Sequence, residues 1–180
     1  MKLLVLLSLF ISNCVLAKTR IAFFKTYSQG QLIQFSAEGQ YTHVAIEFED
    51  KWIHADPYYG VVAINHLSEV SIKEYQVDLL EHPDDLIPTK LIEKYLGLPY
   101  DHNFTWSDDA IYCSELIAKL LGLKPRPMKF NTEIWNNDYT SKRGLPGLSP
   151  DDLFSNLMEK GFSIKSKSCF NKMKTFSEVR

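Results

Sequence analysis

The chain holds three cysteines and five histidines, and one of the cysteines stands where a nucleophile belongs. Cys113 lies in Tyr112-Cys113-Ser114-Glu115-Leu116, where a polar and aromatic loop gives way to an apolar helix pattern. A thiol at a helix start meets the positive end of the helix dipole, which is expected to lower its pKa and raise its thiolate fraction. Covalent hydrolysis also needs a base within hydrogen-bond reach, a polar group to orient that base, and donors for the oxyanion. N–H groups at a helix start supply the donors. His43 and His54 are of the right type for base and orienter, and Asp56 stands two residues further on. The competing reading of Cys113 is a small buried thiol without chemistry.

These residues must be brought together by the elements that carry them. From residue 41 to 57, Val44, Ile46 and Phe48 alternate with His43, Ala45 and Glu47. Glu49-Asp50 reads as the turn, and Ile53 and Ala55 return against Trp52, His54 and Asp56, with Pro57 ending the strand. A two-residue hairpin pairs Val44 with Ala55 and Ile46 with Ile53. His43, His54 and Asp56 then share the other face, because the side-chain period of a strand is two. Facing residues lie about 4.5–5.5 Å apart and diagonal ones about 7–8 Å. On this expectation the Cys113 helix packs against the polar face of the hairpin, with His43 reaching across from the opening of its strand.

Around that hairpin the pattern predicts strands over residues 20–26, 60–67 and 74–80, with a polar connector over 28–40. A first helix runs from Pro88 to Leu96, with Gly97 as its cap. A second starts between Ala110 and Tyr112 and ends at Leu121. It buries Leu116, Ile117, Leu120 and Leu121, and Gly122 and Pro125 stop it. Residues 124–148 are irregular and rich in Pro, Asn, Gly and aromatic residues, as expected of a lid or binding loop. Ser149 caps a third helix that has Pro150 at its first position and Asp151-Asp152 in its first turn. Gly161 ends it, and residues 162–166 return as a strand.

Residues 1–17 fit a secretory signal peptide: Lys2 as the basic end, residues 3–11 as the apolar stretch, and Val15-Leu16-Ala17 as a cleavage site. The apolar run is short of the roughly 20 residues that span a membrane. Asn13 disfavours lipidation at Cys14. The expectation is one domain over residues 18–180, exported to a periplasmic or secreted location, with peripheral attachment to the cell envelope left open. A net charge of -2 without basic runs argues against nucleic acid as partner. Cys113 and Cys169 are the cysteines left after cleavage, so the chain is no disulfide scaffold. A bridge between those two would silence the nucleophile, and the two readings stand against each other.

Three segments carry a resemblance: Y-T-H-V-A-I-E-F with W-I-H-A-D, then G-L-P-Y-D-H-N-F-T-W-S-D-D-A-I-Y-C-S-E-L, then L-S-P-D-D-L-F. Together they resemble the circularly permuted papain-like cysteine hydrolases, relatives of the NlpC-type cell-wall peptidases, and in particular the YiiX/YaeF-like group. Histidine precedes cysteine here, the reverse of ordinary papain-like enzymes. The resemblance implies an α+β fold, an antiparallel sheet or small barrel packed on the helix with the nucleophile. It implies Cys113 as nucleophile and His43 as general base. His54 matches the third position, where such chains often carry an acidic residue, so Asp56 stands as a substitute. Tyr100, Asp101, Phe104 and Tyr112 become substrate-pocket candidates.

The implied substrate is an amide of a peptide or acyl-amino compound, or a lipid-like acyl group as in the lecithin–retinol acyltransferase-like enzymes. Hydrolysis and acyl transfer both fit. No cofactor is implied. A non-catalytic domain holding a ligand under residues 124–148 is the rival from another class. A zinc site would use the same ligand types, but no C-x-x-C or H-E-x-x-H spacing supports one. His66, His82 and His102 read as surface residues. Trp52, Trp106 and Trp135 read equally as groove or core.

Overall fold

The computed structural model describes residues 18–131, 142–167 and 171–172. Its centre is β1 (Thr19–Ser28), where Ile21, Ala22, Phe23 and Phe24 are all fully buried. A continuous apolar run of this kind belongs to a strand covered on both faces. β1 pairs antiparallel with β6 (Glu74–His82) on one side and with β3 (His43–Phe48) on the other. β4 (Lys51–Asp56) and β5 (Gly60–Ile64) continue the sheet, which reads β10-β6-β1-β3-β4-β5. The short β2 (Gln31–Leu32) pairs with β1. β9 (Ser163–Lys167) and β10 (Asn171–Lys172) both pair with β6. The architecture is thus the α+β arrangement that the resemblance implies, an antiparallel sheet with three helices among the described residues.

The helices gather on one face. α1 (Thr89–Tyr95) begins directly after Pro88 and stops one residue short of the predicted end, with Gly97 at φ +83° just beyond. α2 (Cys113–Leu120) starts at Cys113 itself. α3 (Pro150–Glu159) has a reciprocal cap: the Asp152 N–H donates to Ser149 Oγ at 3.1 Å, and the Ser149 N–H donates to Asp152 Oδ2 at 3.3 Å. Leu116, Ile117 and Leu120 of α2 pack with Val44, Ile46 and Ile53 in the main core.

That packing corrects the expected docking. The helix that begins at Cys113 sits on the apolar face of the hairpin, because its apolar stripe buries best against Val44, Ile46 and Ile53. The opposite face, which carries His43 and His54, is covered by a second cluster that includes Phe24, Trp52, Val70 and Tyr75. Trp52 is therefore core, and Trp106 packs at the edge of the main core beneath Lys119.

β5 ends at Ile64, earlier than predicted, and a short 3₁₀ turn (Leu67–Glu69) follows. Within the irregular segment, β7 (Arg126–Pro127) pairs with β8 (Pro146–Gly147). Met128 and Phe130 are buried with Phe35, Phe104 and Tyr112. Of the segment 124–148 expected to be a lid or binding loop, residues 132–141, Trp135 among them, lie outside the described residues, as do the signal segment and Cys169.

Candidate active site

The hairpin turn is the one its sequence calls for. Glu49 and Asp50 both adopt positive φ, 48° and 62°, as a two-residue type I′ loop requires. From this turn the β3–β4 ladder runs through Phe48↔Lys51, Glu47↔Trp52 and Ile46↔Ile53. In an antiparallel pair, hydrogen-bonded and non-bonded rungs alternate, so the next bonded rung would join Val44 to Ala55. The expected Val44–Ala55 pair is not in the ladder. The Val44 N–H is instead directed at the sulfur of Cys113, where it favours the thiolate. The start of α2 thus stands where a strand partner would.

Beyond that point the hairpin brings two imidazoles together. His43 Nε2 and His54 Nδ1 are hydrogen-bonded at 3.0 Å. Both rings are buried, and Phe24 lies against His43 with ring centroids 5.5 Å apart. The connector ahead of His43 is pinned from α3: Asp151 Oδ1 accepts the Gln40 and Tyr41 N–H groups at 2.8 and 3.2 Å. Asp56 faces a different task. Its Oδ1 accepts the Tyr58 and Tyr59 N–H groups at 2.8 and 3.2 Å, and its Oδ2 accepts the Ser71 hydroxyl at 3.0 Å. It holds a turn and touches His54 only through its charge, which raises the His54 pKa against the larger lowering by burial.

Burial sets the resting protonation states. It pushes the Cys113 thiol up to about 11, overcoming the Ser114 and Val44 N–H groups that favour the anion. The sequence-based expectation of a lowered thiol pKa is thereby corrected: a helix start stabilises the anion by about 1 kcal/mol, less than desolvation opposes it. Burial, helped by His54 alongside, pushes His43 down to about 3. The resting pair is a neutral thiol and a neutral imidazole.

A cleft of about 330 Å³ opens at His43. Tyr100 and Phe104 line it together with Asp56 and Tyr58, and Ile33, Phe35, Val70 and Ile72 form apolar walls. Cys113 lies outside this lining and reaches the end of β3 from the helix side. Asp101 and Tyr112 are also not in the lining. Asp101 orders its own loop, accepting the Asn103 N–H at 2.8 Å and the Thr105 hydroxyl at 2.8 Å. The Tyr112 hydroxyl accepts the Leu148 N–H at 3.0 Å inside the core. The apolar walls escaped the sequence reading, since residues 33, 35, 70 and 72 carry no motif. Tyr58 had a signal in the sequence, its place directly after the Asp56-Pro57 strand end, and it is 82% exposed.

His66 is exposed, His82 packs on Phe162, and His102 lies on Tyr100. Among the described residues no group of three or more His, Cys, Asp or Glu side chains is placed to hold a metal ion.

The model of a family described as "Permuted papain-like amidase enzyme, YaeF/YiiX, C92 family" matches residues 17–156. A stretch of 28 residues is 57% identical to the uncharacterized protein YiiX of Escherichia coli strain K12, and covers 16% of this chain and 14% of that protein. The chain therefore aligns with only a small part of that relative's length. The crystal structure of metalloprotein yiiX from Escherichia coli O157:H7 superposes with a TM-score of 0.52 at 20% identity, over 84% of this chain and 97% of that one. At such identity the likeness is one of fold. Match, topology and the order of histidine before cysteine agree, and the chain belongs to the YaeF/YiiX (C92) family of permuted papain-like amidases.

Proposed function

We propose that this protein hydrolyses an amide through Cys113 as nucleophile, His43 as general base and His54 as the group that orients His43. The observation that carries the reading is the Val44 N–H. This amide of the peptide that follows His43 lies near enough to the Cys113 sulfur to favour its thiolate, which supports placing thiol and imidazole at one strand end. His43 Nε2 is engaged with His54, which leaves Nδ1 as the nitrogen for the thiol proton.

Since both partners rest neutral, proton transfer accompanies attack. The sulfur of Cys113 bonds to the carbonyl carbon as its proton passes to His43 Nδ1. N–H groups at the start of α2 receive the oxyanion. Collapse breaks the C–N bond, and His43 hands the proton to the departing amine, leaving a thioester. Water then adds to the thioester while His43 takes its proton. The C–S bond breaks, the acid departs, and the proton returns to sulfur.

The apolar walls beside His43 favour an uncharged acyl group, which keeps a lipid-like acyl substrate as the second reading. The solved neighbour is described as a metalloprotein. Here His43 Nε2 and His54 Nδ1 are hydrogen-bonded to each other, and among the described residues no third His, Cys, Asp or Glu side chain joins the two rings. This donor set does not fit a metal, and no step is routed through one. We read residues 1–17 as an export signal, tested by sequencing the amino terminus of the mature protein.

The deciding experiment incubates wild-type protein and Cys113→Ala with a panel of acyl amides and acyl esters and weighs the intact protein. A mass increase equal to an acyl group, found only with Cys113 present, supports the reading. No adduct and no product from any member favours a binding domain on the same fold. Slow labelling by a thiol probe at neutral pH does not separate the two, because a buried neutral thiol is slow in both.

A further inference from the structure

Glu115 is fully buried and takes no part in the mechanism above. It is the third residue of α2, with Cys113 the first. Its Oε2 accepts the Tyr112 N–H at 3.3 Å, on the peptide directly ahead of the nucleophile. Its Oε1 lies 2.9 Å from Lys119 Nζ, yet off the axis of a hydrogen bond. Lys119 also donates to the Ser107 carbonyl and, at 2.7 Å, to Asp108 Oδ1. Asp108 Oδ2 in turn accepts from Lys94 of α1 at 2.7 Å. A chain of alternating charge, Glu115–Lys119–Asp108–Lys94, ties the start of the nucleophile helix to the loop before it and to α1.

A carboxylate buried this deeply is unfavourable unless a cation opposes it. Burial pushes Glu115 up to about 7, against the pull of Lys119, and Asp101 pushes in the same direction. Tyr112 and Cys113 are the other titratable groups beside it.

We infer that Glu115 is a positioning residue for Cys113: it fixes the peptide leading into the nucleophile and, as the anionic half of a buried pair, balances the charge at that helix start. Without the carboxylate, the Lys119 ammonium is opposed only by Asp108, which it shares with Lys94. The excess positive charge then favours a thiolate at Cys113. The inference rests on the reading of Cys113 as nucleophile, but its test needs no turnover.

The test is the rate of Cys113 alkylation by iodoacetamide from about pH 5 to 11, followed on the Cys113 peptide by mass spectrometry so that the other cysteines do not contribute. Glu115→Gln keeps a carbonyl for the Tyr112 N–H and removes the charge. We expect its pH midpoint to fall by about one unit, labelling at about pH 8 to 9, where Glu115 is ionised, to speed up about tenfold, and the plateau at high pH to stay unchanged. An unmoved midpoint overturns the inference. A raised plateau overturns it too, because a loosened helix start speeds the reaction at every pH.

Should Glu115→Gln not fold, the wild-type profile carries the test. As Glu115 ionises around pH 7 it holds back the thiolate, so the logarithm of the rate flattens there. A straight line of unit slope through that region overturns the inference. Absence of turnover on every amide would count against the proposed hydrolysis and leave this result standing.

Discussion

His43 Nε2 and His54 Nδ1 lie 3.0 Å apart with ring planes at 88°, so one proton is shared along a single defined axis. For His43 to accept a proton at Nδ1, its own proton must sit on Nε2, and His54 must then accept at Nδ1 as the Nε2–H tautomer. Substituting His54→Ala leaves a buried His43 N–H without an acceptor, at a cost of about 1–3 kcal/mol. It also frees the wrong tautomer of the base. We expect kcat on an acyl amide to fall about 100-fold or more, measured by steady-state kinetics alongside a thermal melt.

Asp56 separates from His54 in the same assay. Its oxygens serve Tyr58, Tyr59 and Ser71, and Asp56→Asn keeps an acceptor for that turn. The expected loss in kcat is within about tenfold, equivalent to about 1.4 kcal/mol. A loss matching that of His54→Ala would transfer the orienting role to Asp56.

Cys113→Ala should lower turnover by at least about 1,000-fold, the scale seen when a covalent nucleophile is removed. Cys113→Ser should be nearly as inactive, since His43, with its pKa pushed down to about 3, is too weak a base for a hydroxyl. Retained activity in either variant on the substrate that acylates wild-type protein would remove Cys113 from the mechanism.

Stability should fall on both sides of neutrality. His43 is pushed down from an ordinary 6.5 to about 3, and His54 is also lowered. Below about pH 6.5 the unfolded chain binds protons that the folded chain refuses, so stability declines as pH drops toward 3, by up to about 1.4 kcal/mol per pH unit for each group. Cys113 works in the opposite direction. Its thiol is raised from 9 to about 11, so the unfolded chain loses that proton first and stability declines as pH rises from 9 to 11. Glu115, raised from 4.5 to about 7, offsets part of the histidine effect between those values, and Tyr41 and Tyr112, both raised by burial, add to the decline above about pH 10. Chemical-denaturation midpoints across pH should follow this dome, and Cys113→Ala should flatten its alkaline side between about pH 9 and 10.

Gly60→Ala tests the link between hairpin and cleft. Gly60 sits at φ +74°, and an added Cβ would fall 2.1 Å from the Leu98 carbonyl oxygen, which also accepts the Val61 N–H at 2.9 Å. Strain of this kind costs about 1–3 kcal/mol, a drop in Tm of several degrees. An unchanged melt would mean that residues 98–99 yield freely.

The hairpin was legible because its signals are local: alternation, a Glu-Asp turn, and a proline after the second strand. Ser149-Pro150-Asp151-Asp152 announced α3 for the same reason. The α2 start was legible to within three residues, but its docking face was not. Counting polarity along β3 and β4 assigns His43 and His54 to a wet face, and only the tertiary fold reveals that this face is covered by Phe24, Trp52 and Tyr75. The thiol's pKa failed similarly, since a helix start can be read from a sequence whereas depth of burial cannot. Glu115 could have been found: it lies three residues after the helix cap Tyr112 and four before Lys119, spacings that mark a capping carboxylate and an ion pair.

The missing Val44–Ala55 rung means that β3 meets the start of α2 where it would otherwise meet a strand. Where a neighbouring strand would offer a carbonyl oxygen, the Val44 N–H has the Cys113 sulfur nearby, whose anion it favours. Whatever alters the electron pairs on that sulfur is felt in the backbone of β3 as well as at the substrate. The amide of Val44 is therefore a built-in gauge of the chemical state of Cys113, readable without any knowledge of a substrate.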